Sequence, residues 1–433
     1  MSLRRSTLLP AAESAAETLG AAGRRWEVLL RQGRSLALRW WAGGREERAS
    51  AESGVACRVS VAGRSGFAAA SGSGARAGRR AAESALEALL PGIDAIPPAG
   101  VLGTTPVPAP PEAATLEHLH AVAASQQQAL ARHPGVELVE LRATSGEAHT
   151  HLFTAEGHAA EARIAGVAVE LVLAAAAGPA RLVHWAGHSL DDLDVAEFAE
   201  RSAEAVLVCS RGGPASRRLA DVVLAPPAAA PLVLALVERL QRAGVDPADP
   251  LHGARVAPAW RLVDERSGPE GLLPQPFDGE GLPSRPHALL AEGRLGTPLL
   301  AWGEAAPQGR AAGGAVRHSY RQAPRGGPAN LVVHPARPLA PQTLLERLED
   351  GFWIDLPAGP VQVDPSGERF TLRAAAVKVA AGRPIGCHPV VEVRGSFRRL
   401  LGGLAATGLD TRSFSLGAAV TTPSLLLRAL EVA

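Results

Sequence analysis

The 433-residue chain predicts an α+β fold. Three observations carry that reading. Strand-like runs of alternating residues come in groups of three, each group lies beside a breaker-poor Ala/Leu stretch of helical length, and the turns between runs are short and contain Gly. With 46% hydrophobic residues, two or three domains of ordinary size can each bury a core. No period of the solenoid kind runs through the sequence.

Residues 11–20 predict a helix. Residues 26–41, with VLLRQGRSLALRWW, hold two strand-like runs about Gln32-Gly33-Arg34 and predict a hairpin. Residues 57–69, CRVSVAGRSGFAA, continue the strand pattern around Gly63, and 77–90 is an Ala/Leu helix. A Pro-rich stretch over 91–111 has no apolar period and reads as a linker or a long extended crossing. A second helix over 113–132 precedes strand-like runs at 136–143, 149–154 and 160–176, which make an antiparallel meander. Residues 189–205, SLDDLDVAEFAERSAEA, predict a helix with Ser189 as N-cap and Asp191 and Asp192 in its first turn, where the helix dipole favours them. Val222 and Val223 then lead through Pro226 and Pro227 into a helix over about 228–243. The chain thus divides into an α+β segment (1–90), a linker (91–112), a second α+β segment (113–223) and a C-terminal domain (224–433).

Composition excludes several functions. A formal net charge of +1 lacks the positive footprint that a phosphate backbone or anionic lipid demands, so neither nucleic acid nor membrane is an expected partner. The 44 basic residues include one Lys, Lys378, and the chain has one Tyr and one Asn. Those three residues have AT-rich codons, so the arginine excess reflects genomic base composition. Cys57, Cys209 and Cys387 are widely spaced and odd in number, which argues against a disulfide framework or a cysteine zinc cluster and suits a reducing compartment such as the cytoplasm. The twin Arg near the start precedes only a short apolar stretch, interrupted by Pro10, Glu13 and Glu17, and reads as helix, not export signal. No stretch is apolar and long enough to predict a transmembrane helix.

Isolated chemical motifs are weak. His184 and His188 in HWAGH have a spacing that would align two ligands on a helix, with Asp191 and Asp192 close by, but Gly187 and the preceding Arg-Leu-Val read as a strand entering a turn. His149 and His151 share one face of a strand, which a half-exposed edge strand explains. SGSGARAG (71–78) has the spacing GxGxxxG and lacks the acid of a dinucleotide fold, so it reads as a flexible strand-to-helix connection. Walker and GxSxG motifs are absent, and Cys387-His388, adjacent in a strand, point to opposite faces.

The informative stretch is 276–335. It opens with PFDGEGLPSRPHALLAEGRL, in which Asp278-Gly279 marks a turn and Glu292-Gly293 a hairpin, continues through RHSYRQAPRGGPANLVV, and is joined near the end by TPSLLLRALEV. Together these resemble the C-terminal signature of the TldD/TldE family, also called PmbA or modulator of gyrase. The resemblance implies a β-rich C-terminal domain and a pair of subunits that make a metallopeptidase. In the metal-bearing subunits the helix after the Pro pair carries HExxxH, and a Cys near the C-terminus completes the zinc ligands.

Here no His is followed by Glu, the helix reads APLVLALVERLQRAG with Glu238 as its only carboxylate, and 410–420 contains no Cys. Leu232, Leu236 and Leu240 recur on one helical face as a core stripe. No catalytic or metal-ligating residue is therefore expected in this chain, and zinc is expected in a TldD-like partner. The resemblance implies a non-catalytic, TldE-like subunit of a heterodimeric zinc peptidase acting on unstructured peptides, including leader peptides of ribosomal natural products. Arg317, Tyr320 and Asn330 become the candidate contacts to peptide or partner, although fastening their own loop is an equal reading. An extended peptide would bind by adding a strand to an exposed edge. Two alternatives stand: a self-associating binding or scaffold protein of the same fold, and an independent hydrolase built on His184, His188 and an acid.

Overall fold

The computed structural model describes residues 5–20, 24–91, 96–175, 178–210, 212–246, 248–336 and 338–433. Part of the twin-arginine start, part of the Pro-rich crossing and the last residue assigned to the 160–176 strand lie outside them. The N-terminal half is one antiparallel sheet. Its long strands are β1 (Arg25–Trp41), β2 (Gly44–Val61), β3 (Arg64–Ser71), β4 (Val136–Thr154), β5 (Ala159–Ala175) and β6 (Arg181–Gly187). They lie in the order β3-β2-β1-β4-β5-β6, with the short pair Leu90–Pro91 beyond β3.

Two turns expected from the sequence are absent. Residues 26–41 form a single strand, because β1 is paired along both edges and Gly33 lies opposite Glu52 on one side and Ala148 on the other. The reversal comes later, at Ala42-Gly43. Likewise 136–143 and 149–154 are one strand, β4, running through Ser145–Glu147 between β1 and β5. His149 and His151 thus sit on one face of an inner strand, not an edge. In both cases pairing on two sides outweighs a local Gly and polar signal. Where that signal is not opposed it holds: Ala62-Gly63, Glu292-Gly293 and Ala381-Gly382 each have two positive φ values, as tight hairpin turns require.

Helices cover one face of this sheet. Val28 and Leu30 of β1 pack under α1 (Arg5–Leu19) and α2 (Ala75–Glu87), while Leu36 and Leu38 of the same face meet the cluster under α3 (Leu116–Leu130) and α4 (Val195–Cys209). The predicted 189–205 helix is broken. Ser189 caps a 3-10 turn, Leu190–Asp192, and Asp194 accepts from the Glu197 amide at 2.9 Å to start α4 afresh, so the second cap interrupts the first.

The opposite face of β1, with Glu27, Leu29, Arg31 and Gly33, meets the C-terminal half. There β7 (Arg218–Leu224), β8 (Asp350–Pro357), β9 (Arg369–Ala380), β10 (Arg383–Ser396) and β11 (Leu425–Val432) form a closed ring, because β8 pairs with both β7 and β9. The β7–β8 pair is parallel and the rest antiparallel. Helix α5 (Pro226–Val245) packs into the ring's core alongside Phe352, Ile354 and Leu372. A mixed sheet, which includes Leu262–Asp264, His287–Ala291, Asn330–Val333, Ala419–Thr422 and Arg412–Ser415, completes this half. The Pro-rich crossing is pinned to it: the Gly103 amide donates to the Gly281 carbonyl at 3.0 Å and the Thr105 amide to the Pro276 carbonyl at 2.7 Å.

Candidate functional site

A groove runs between the uncovered face of the N-terminal sheet and the loops of the C-terminal half. Its floor is made of rows of small residues across the strands. Ser50, Ser35, Gly146 and Gly166 stand opposite one another in β2, β1, β4 and β5, and the next row reads Glu52, Gly33, Ala148 and Ile164. With so little side chain on that face, the C-terminal loops around Leu272, Leu273 and Ser415 cannot seat flush, and space remains. It amounts to about 460 Å³ at one end and about 250 Å³ at the other, the two joined through Arg31, Ala148 and Ile164. Arg31 is the arginine common to both ends, with Arg34 at the wider one and Arg317 at the narrower. Burial holds the Arg31 guanidinium below the usual arginine value while Glu52 opposes that shift, and its Nη1 donates to the Arg317 carbonyl at 3.3 Å. His318, at the narrower end, is likewise pushed down by burial and by Arg325 and Arg31.

Of the three residues singled out in the sequence, Tyr320 and Asn330 are buried in the protein, and Arg317, with its side chain buried, lines the groove's narrower end. Arg317 pairs with Glu27 of β1, and both side chains are buried. Tyr320 is 1% exposed; its ring rests on Gly54 of β2, where a Cβ would come within 2.1 Å of the ring, and its hydroxyl lies 2.9 Å from Ser71 Oγ. Asn330 closes a local loop, its Oδ1 accepting from the Leu273 amide at 2.8 Å and its Nδ2 donating to the Leu273 carbonyl at 2.6 Å. Arg317 and Tyr320 therefore join the two halves, and Asn330 shapes the groove wall through Leu273. The Tyr320 and Asn330 side chains are spent on these internal contacts, whereas Nε and Nη1 of Arg317 are buried without a hydrogen-bond partner among the described residues.

The turn motif of the informative stretch does the same work. Asp278 Oδ1 accepts from the amides of Glu280 at 2.8 Å and Leu282 at 3.0 Å, folding FDGEGL on itself, and Oδ2 accepts from the Ala315 amide at 3.1 Å. That places Glu280 where Arg58 of β2 donates to it at 2.8 Å, while the other arm of Arg58 donates to Glu27 at 2.5 Å. Glu27, Arg58, Glu280 and Arg317 thus form a buried clamp of two carboxylates and two guanidiniums. Burial works to raise the Glu27 carboxyl, but Arg317 and Arg58 overcome it and hold Glu27 below its ordinary value. Burial wins at Glu280, which is raised despite Arg58. The sequence reading missed Glu27 and Arg58. The only signal was a charge inside each of two apolar runs, WEVLL and ACRVSV.

Other candidate ligands disperse. His184 lies in β6, stacked on Phe414 with ring centroids 5.8 Å apart, and burial pushes it down to about 4. His188 follows the strand. Among the described residues one His/Glu set is close enough to share an ion: Glu265, Glu270 and His334. The two ring nitrogens of His334 face different carboxylates, Glu265 at 3.0 Å and Glu270 at 2.8 Å, so both are engaged within the set.

The model of the PmbA/TldA metallopeptidase C-terminal domain matches residues 217–433, beginning one residue before β7. The chain belongs to the PmbA/TldD family. Solved structures agree on the fold. A protein of Thermotoga maritima described as a modulator of a DNA gyrase superposes with a TM-score of 0.79 at 19% identity over 98% of this chain and 99% of its own. TldE of Thermococcus kodakarensis gives 0.80 at 16% over 98% and 100%, and a modulator of DNA gyrase from Bacteroides thetaiotaomicron gives 0.79 at 15% over 100% and 99%. No curated protein matches the chain.

Within this metallopeptidase family, α5 is the helix on which zinc ligands are expected. Leu232, Val233, Leu236 and Val237 are at most 2% exposed and packed in the core, Glu238 points to solvent, and Arg239 donates to the Gly367 carbonyl and to Asp249, each at 2.7 Å. The helix offers no imidazole or thiolate, and its one carboxylate faces away from the core. These residues do not fit a catalytic zinc, which needs about three protein ligands around an open position.

Proposed function

We propose that this chain is the non-catalytic, TldE-like subunit of a heterodimeric zinc peptidase, associating in the cytoplasm with a TldD-like chain that carries the metal. One observation carries the reading: the two-part frame is kept whole, down to the clamp built from the family's own signature turn, while the helix that should hold zinc is packed with Leu and Val. A frame retained without its ion is useful where a second subunit supplies the chemistry.

In this reading the groove holds an extended, unstructured peptide against the sheet face. The small-residue floor gives a main chain room to lie, and Arg31 and Glu52 supply polar anchors. Edge addition is less suited, since the ring is closed and β6, at one margin of the N-terminal sheet, is flanked by Arg412–Ser415.

The test is reconstitution. Purified alone, the chain should leave labelled casein intact; mixed with a TldD-like chain it should co-elute with it, and chelator-sensitive cleavage should appear. A chain that forms a stable homodimer and ignores the TldD-like protein would refute the proposal and favour a self-associating scaffold.

A further inference from the structure

A second space lies where α4, β6, the start of α5 and β8 come together, with a volume of about 590 Å³. Its wall carries six carboxylates against two arginines, Arg201 and Arg412. Most of the carboxylates are engaged. Asp192 and Asp194 cap helical turns, Glu197 pairs with Arg201 at 2.5 Å, and Asp410 accepts from the Ser424 amide at 3.0 Å and hydroxyl at 2.7 Å.

Asp355 is different. It lies in β8 within the apolar run FWIDL, partly exposed to this space, and among the described residues no hydrogen bond or ion pair reaches it. Burial pushes its carboxyl up to about 6, with Arg201 opposing and Asp410 adding to the rise. A carboxylate held in largely apolar surroundings without a protein partner is costly unless a group reaching it through the space completes it. The completing group is not an anion: the start of α5, Pro226-Pro227, offers no backbone N–H, that of α4 is capped by the Asp194 carboxylate, and the wall is acidic. Trp185 and Trp353 line the same space, and aromatic side chains suit a planar cation.

We propose that this cavity is a binding site for a guanidinium or primary ammonium group, with Asp355 as its ion-pair partner. The proposal does not depend on the peptidase reading, since it concerns residues of α4, β6 and β8 and no catalytic partner. The cation could be a peptide side chain or a free amine, and the two are separable by experiment.

The intact chain is titrated calorimetrically with Ac-Gly-Arg-Gly-amide, Ac-Gly-Glu-Gly-amide and agmatine at pH 7.5. The arginine peptide should bind saturably and the glutamate peptide should not; binding by agmatine as well would identify the cation itself as the ligand, and binding by the peptide alone would identify a peptide-borne one. Asp355→Asn should weaken the cation at least tenfold while leaving the circular-dichroism spectrum unchanged. Lowering the pH to 5 should reproduce that loss in the unaltered protein. The other ionisable groups lining the space are His184, which burial holds neutral, the carboxylates Asp192, Asp194, Glu197, Glu204 and Asp410, and the guanidiniums Arg201 and Arg412, so the part of the pH effect that Asp355→Asn abolishes reports Asp355. Absence of binding by both cations, equal binding of the glutamate peptide, or unchanged affinity in Asp355→Asn would overturn the proposal.

Discussion

Charge is set among apolar surroundings both in the clamp and at Asp355, and the two places are handled in opposite ways. In the clamp, each of Glu27 and Glu280 has a guanidinium within hydrogen-bonding reach, and Arg58 serves both. At Asp355 no such neighbour exists among the described residues. The first arrangement joins parts of one chain; the second leaves valence open to something outside it. Removal of a charge should therefore have opposite consequences at the two places.

The largest effect is expected from Arg58→Ala. It would strand Glu27 and Glu280 in the interior, and breaking a buried pair in this way costs about 3–5 kcal/mol. Urea denaturation should register that loss, and a cost below about 1 kcal/mol would mean that water already screens the clamp. Next comes Asp355→Asn, with the sign reversed. Its carboxyl is raised from 3.8 to about 6 on folding, so the folded state holds the proton more tightly; its contribution to stability is full below pH 3.8 and lost as pH rises through about 6. The asparagine variant should therefore be more stable at pH 7 by up to about 3 kcal/mol, and its stability should vary less between pH 4 and 6. A destabilised variant with an unchanged pH profile would show that Asp355 has an internal partner after all.

Two smaller changes sharpen the role of the clamp. Gly54→Ala would force its methyl into the Tyr320 ring and should cost about 1–3 kcal/mol, visible as a lowered melting temperature. Tyr320→Phe keeps the ring and removes only the hydroxyl's bond to Ser71, for about 1 kcal/mol. If the two variants ranked in the reverse order, the hydroxyl and not the ring would be the anchor.

These contacts show what local sequence can and cannot convey. The α+β class, the helices at 77–90 and 228–243 and the Glu292-Gly293 hairpin were legible because apolar period and turn chemistry are short-range. The hairpin expected at Gly33 failed because two neighbouring strands, one from beyond the Pro-rich crossing, hold β1 straight. Arg317, Tyr320 and Asn330 could be picked out as special, but not assigned: their partners Glu27, Gly54 and Ser71, or Leu273, lie tens to hundreds of residues away. Asp355 left one trace, an acid inside the apolar run FWIDL, which gained meaning only when the space beside it came into view.

The placement of β4 has a consequence for synthesis. β1 gains its second neighbour only when Val136–Thr154 leaves the ribosome, 95 to 113 residues after Trp41. At common translation speeds of about 5–20 residues per second the nascent hairpin of β1 and β2 waits roughly 5–20 s with seventeen residues of open strand margin. During that interval it is a template for pairing with any other unfinished chain, and a holdase bound to this margin would be the natural safeguard.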